Sequence, residues 1–69
     1  MDQGEALVGA TGVLVVATRG PAGAGEAMIR FRGGTESYLA WSDEPLPRGT
    51  TVLVVAVRGA RQVTVIPVG

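Results

Sequence analysis

The residues of this chain that could do chemistry are few, and most lie in its middle third. Asp43 and Glu44 are the only adjacent acids, Tyr38 and Trp41 are the only Tyr and Trp, and Arg30 and Arg32 flank Phe31 just upstream. A carboxylate pair suggests a cation site or an acid–base couple. Neighbouring side chains on an extended segment point apart, however, and the remaining acids (Asp2, Glu5, Glu26 and Glu36) are scattered, so no converging ligand set emerges. Thr11, Thr18, Ser37, Ser42, Thr50 and Thr51 offer hydroxyls with no base but a carboxylate to activate them. The chain has no His, no Cys and no Lys, which excludes Ser–His and Cys–His nucleophiles, a Ser–Lys dyad, Schiff-base chemistry and a phosphate-loop lysine. The expectation is a protein that is not an enzyme and holds no cofactor or metal.

A second chemistry open to these residues is nucleic-acid binding. Arg30 and Arg32 share a strand face by alternation, and single-strand binders set such cations beside stacking aromatics such as Tyr38. The balance of charge argues against it: six Arg stand against six acids for a net charge of zero, whereas phosphate neutralisation requires a basic excess. An Arg30, Arg32 and Tyr38 face is therefore the alternative reading, and nucleic acid an unlikely partner.

The elements that must position these groups are strands. With 69 residues and no disulfide or thiolate metal site, the chain makes one small domain that must pack well or share surface with copies of itself. The apolar stretches are short, rich in Val and punctuated by Gly, with no helical period. Strands are expected over residues 7–19, 26–32, 35–42, 50–58 and 61–68. "GPAGAG" (Gly20 to Gly25) lacks the spacing of a phosphate loop and reads as a hairpin loop. Gly33-Gly34 reads as a two-residue hairpin turn, and Gly59-Ala60 as another turn. Pro45 and Pro47 stiffen "DEPLPRG" (Asp43 to Gly49), with Leu46 expected to tuck under the barrel end. The fold class is all-β: a small five-stranded, OB-fold-like barrel. Residues 1–6 are expected to form a flexible N-terminal segment and 7–69 the single domain. Apolar runs such as Val13 to Ala17 fall far short of the ~20 residues of a membrane span, and no basic stretch precedes them as in a signal peptide. The chain reads as soluble and cytoplasmic.

Two segments do not alternate. Val13-Leu14-Val15-Val16 and Val52-Leu53-Val54-Val55 are apolar on both faces, although a small barrel buries only one. Their outer sides must be covered by a loop, by the N-terminal segment or by another chain. Along the third strand Leu39 and Trp41 share one face and Tyr38 and Ala40 the other; parity alone leaves open which pair looks inward.

The stretch "YLAWSDEPLPRGTTVLVV" (Tyr38 to Val55), with "LVGATGVLVV" before it and "VTVIPV" after it, resembles the soluble C-terminal OB domain of the NfeD-like family. The resemblance covers Leu7 to Val68. It implies a noncatalytic interaction module, usually carried behind membrane helices and associated with flotillin- or stomatin-like (SPFH) scaffolds of membrane microdomains. Some longer relatives carry a serine protease domain, for which this chain has neither the length nor the Lys. The resemblance also implies that Tyr38 and Ala40 look inward. Leu39, Trp41 and Leu53 then fall where relatives are usually polar, and they are the candidate interface for self-association or for an SPFH-type partner. Location follows the partner: cytoplasmic, or peripheral to the inner face of the cell membrane.

Overall fold

The valine-rich segments form five strands: β1 Thr11–Val16, β2 Gly25–Phe31, β3 Gly34–Trp41, β4 Thr51–Gly59 and β5 Gln62–Pro67, with a 3-10 turn at Gly20–Ala22 between the first two. This computed structural model describes residues 7–69; the N-terminal segment expected over residues 1–6 lies outside them. The strands close into a barrel in the order β1-β2-β3-β5-β4. Four of the five neighbouring pairs are antiparallel, and β3 and β5 run parallel. The five-stranded all-β barrel expected from the pattern is the fold found.

Alternation decides what fills it. Leu14 on β1, Ala27 and Ile29 on β2, Tyr38 and Ala40 on β3, Val52 and Val54 on β4, and Val63 and Val65 on β5 form a single core, which Leu7 joins from just before β1. Leu46 packs against this cluster from the proline-rich connection. The barrel is narrow enough that backbones meet. A Cβ on Gly12 would come within 2.2 Å of the Met28 carbonyl oxygen, and one on Gly25 within 2.3 Å of that of Val16. Only glycine permits β1 and β2 to close at these points.

Several boundaries differ from those the sequence suggests. The first strand is shorter, because the chain turns at Gly9 (φ +97°) and Leu7 folds back into the core. The β2–β3 turn is Arg32-Gly33, with Phe31 opposite Gly34, and not Gly33-Gly34. Both central residues have positive φ (55° and 77°), as a type I′ hairpin demands, so an arginine takes a place the glycine pair seemed made for. The β4–β5 turn likewise puts Arg61 at φ 56°. In β4 the register slips between Val54 and Ala56 and again between Val57 and Gly59. Past the first slip no side chain of β4 is buried, and Val55 and Val57 are both exposed.

Candidate interaction surface

The outer surface of the barrel carries large apolar side chains on four of its five strands. Val13, Val15 and Val16 on β1, Leu39 on β3, Val55 and Val57 on β4 and Ile66 on β5 are all at least 40% exposed. Tyr38 and Ala40 are buried, so Leu39 and Trp41 point outward from β3, and Leu53 points outward between the buried Val52 and Val54. The three candidates are not equivalent. Leu39 is 48% exposed, whereas Trp41 and Leu53 are half-buried. Leu39 and Trp41 are brought together on β3; Leu53 lies two strands away across β5, offset along it by two residues from Trp41 and four from Leu39. It faces Thr11 on one side and Ile66 on the other.

Trp41 is half-buried because its own neighbours hold it. Thr64 lies opposite it on β5. Its indole N–H donates to Gln62 Oε1 at 3.1 Å, and the Arg58 guanidinium sits 4.5 Å from the ring centroid. That cation–π stack and the indole hydrogen bond fix the ring against the barrel wall. The surface is thus a preset plate of Leu39, Trp41, Gln62 and Arg58, with Thr64, Ile66 and Leu53 continuing it across β5 to β4. Sequence reasoning missed Arg58, Gln62 and Ile66. They reach Trp41 and Leu53 only through the parallel β3–β5 pairing and the β4–β5 hairpin, which no local pattern announces.

The residues of the nucleic-acid alternative are separated. Arg30 is exposed on the outside of β2, Arg32 sits in the hairpin turn, and Tyr38 is buried with its ring facing the core. Each of the three aromatic residues also lies beneath an arginine of the same chain: Phe31 under Arg32 (5.3 Å), Trp41 under Arg58 (4.5 Å) and Tyr38 under Arg61 (5.1 Å). A ring whose face is held by an internal cation offers a base little to stack on.

The two ends of the barrel are built differently. At one end Thr18 and Ser42, both buried, make a polar knot. Ser42 Oγ donates to the Glu44 carbonyl oxygen at 2.7 Å. Thr18 Oγ1 shares a hydrogen bond of 2.6 Å with Ser42 Oγ, lies 3.4 Å from the same Glu44 carbonyl oxygen, and accepts from the Leu46 N–H at 2.8 Å. The Thr18 N–H in turn donates to the Leu46 carbonyl oxygen. This clamp leaves the Asp43 and Glu44 side chains in solvent. Among the described residues no group of three or more acidic side chains could hold a metal ion. At the other end Glu36 and Arg61 pair at 3.1 Å and line, with Leu7, Tyr38 and Val57, a cavity of about 260 Å³. Both partners of that pair are more than half exposed. No helix among the described residues is long and apolar enough to cross a membrane.

Comparison with known proteins follows the same lines. The family model described as the NfeD C-terminal domain matches residues 11–66. The soluble domain of the NfeD protein YuaF from Bacillus subtilis is 35% identical and superposes with a TM-score of 0.66, over 86% of this chain and 70% of that one. The C-terminal domain of stomatin operon partner protein 1510-C from Pyrococcus horikoshii is 25% identical with a TM-score of 0.71, over 100% of this chain and 98% of that one. No curated protein matches the chain.

Proposed function

The chain belongs to the NfeD C-terminal domain family, and from that premise we propose that it is a noncatalytic protein–protein interaction domain working with an SPFH-type scaffold of membrane microdomains. The observation that carries this reading is the match over the whole chain to a domain whose protein is described as a stomatin operon partner. The surface supports it: Leu39 is open and Trp41 is held flat beside it by Gln62 and Arg58. Leu39, Trp41 and Leu53 are the proposed contact, with Trp41 as the anchor, since an aromatic ring already fixed in place by Gln62 and Arg58 loses little freedom when a partner covers it. The domain would act in the cytoplasm or at the inner face of the cell membrane, wherever the scaffold sits.

The test is binding of the purified domain to the soluble part of a stomatin-type protein, followed by calorimetry or biolayer interferometry. Trp41→Glu, at a position outside the core, is expected to keep the β-sheet circular dichroism spectrum and to weaken binding at least about tenfold, the effect of truncating an interface anchor. A parent domain that shows no binding at high micromolar concentration would sink the scaffold reading.

A further inference from the structure

The parallel ladder of β3 and β5 stops early. Its last pair is Trp41 and Thr64, whereas β5 stays paired with β4 as far as Pro67. Past Thr64, then, β5 has no strand on its β3 side among the described residues. The chain leaving β3 is drawn off instead: Ser42 bonds to Thr18, and Leu46 exchanges hydrogen bonds with Thr18 through both its N–H and its carbonyl oxygen. Thr18 follows β1, a strand that does not adjoin β5 in the barrel. Between the Ser42–Leu46 segment and β5 lies a cleft of about 250 Å³. Its apolar walls are Leu46, Val65, Ile66 and Pro67; its charged residues are Asp43 and Glu44, and no cation lines it. Both acids are exposed, and within the described residues neither is in an ion pair.

Size and charge define what fits. The cleft is smaller than the ~300–1,000 Å³ of small-molecule and cofactor sites, and it suits an apolar side chain. Pro67 supplies no N–H, so a visiting strand could not continue a full ladder along this edge, and recognition falls to side chains. Two carboxylates without a cation beside an apolar wall are complementary to a positive charge carried next to an apolar group. On an extended chain, residues two positions apart share a face. Resting on the reading of the domain as an interaction module, we propose that this cleft takes an extended segment of a partner protein. One apolar side chain of that segment enters between Leu46 and Ile66, and an arginine or lysine two positions away meets Asp43 and Glu44. One wall is fixed by the Thr18–Ser42–Leu46 hydrogen bonds and the other by the β4–β5 pairing, so binding carries little ordering cost on this side.

Amide NMR of the isotope-labelled domain, titrated with the peptide acetyl-RTLTR-amide, tests this. The amides of Asp43, Glu44, Leu46, Val65 and Ile66 should shift together and saturate, with a Kd of about 1 mM or below for a contact this small. Glycine in place of the peptide leucine should weaken binding about tenfold. Glutamate in place of both peptide arginines should abolish it. Asp43→Asn with Glu44→Gln should weaken binding of the arginine peptide at least about fivefold and flatten its salt dependence. Asp43→Lys with Glu44→Lys should reverse the preference, so that acetyl-ETLTE-amide binds better than the arginine peptide. That reversal is a result no general loss of fold can imitate. Should the lysine variant fail to fold, the neutral variant and the peptide changes carry the test. No saturable shift at several millimolar peptide overturns the proposal, as do shifts confined to the Glu36–Arg61 end or binding indifferent to the charge changes. A domain that takes no peptide but binds a stomatin-type protein in a manner sensitive to Trp41→Glu overturns the cleft and leaves the proposed function standing. Peptide binding with charge reversal and no stomatin-type partner does the reverse.

Discussion

The two ends of this barrel solve one problem, holding strands that diverge, with opposite means. At the Thr18–Ser42 end the hydroxyls are buried and hydrogen-bonded to each other and to the Glu44 carbonyl oxygen, and the chain from Ser42 to Leu46 is tied to residue 18 by both backbone and side chain. At the Glu36–Arg61 end the polar side-chain tie is an ion pair more than half open to water, beside a backbone bond from the Leu39 N–H to the Arg61 carbonyl oxygen, and Arg61 adopts a left-handed backbone conformation to make the turn there. A buried hydrogen-bond network costs the full desolvation of its members when broken, whereas an exposed pair is worth ~0–1 kcal/mol. The knotted end therefore carries stability, and the open end has conformational latitude.

Gly25→Ala strikes the knotted end hardest. The new methyl would fall within 2.3 Å of one backbone carbonyl oxygen and 2.6 Å of another, those of Val16 and Ala17. Backbone cannot step aside as a side chain can, so the loss is expected to reach about 3 kcal/mol or more, much of the ~3–10 kcal/mol available to a chain of this size. Thermal and urea unfolding followed by circular dichroism would measure it; an unchanged midpoint would mean the two strands do not approach so closely.

Thr18→Ala should come next, at about 1–3 kcal/mol. It strands the part-buried Leu46 N–H and removes a partner of the buried Ser42 hydroxyl. Hydrogen exchange at the Leu46 amide gives the local reading, with protection falling more than for amides in β4.

The smallest effect belongs to the open end. Glu36→Gln should change stability by less than about 1 kcal/mol, and that difference should shrink further in high salt. If Glu36→Gln proved as costly as Thr18→Ala, the contrast between the ends would collapse.

How far the sequence foretold this molecule depends on whether a feature is local. Strand identity, the inward alternation of β2 and the docking of Leu46 are written in short-range pattern, and all are present in the fold. The Arg32-Gly33 turn was missed by one residue, because Gly33-Gly34 satisfies a positive-φ requirement more cheaply and nothing nearby marks Arg32 as willing to meet it. The facing of Trp41 could not come from parity, since both sides of β3 carry apolar residues. It took the resemblance to relatives to point Tyr38 and Ala40 inward, and the closed barrel buries both. Thr18 and Ser42 were read only as hydroxyls without a base. Their partnership spans 24 positions and becomes visible only when the barrel closes. The plate around Trp41 is assembled from three strands, two of them joined in parallel, so its members had no common signal in the chain.

That parallel join is the seam of the barrel. Leu39, Ala40 and Trp41 meet Gln62, Val63 and Thr64 over three residue pairs only, and the Trp41 indole reaches across the seam to Gln62. The seam joins segments 23 positions apart, as Leu39 and Gln62 are, so a loop must close before this pairing can form. The chain has one tryptophan, and it straddles that line. Its fluorescence is therefore a built-in gauge of whether the barrel is shut, readable without any label.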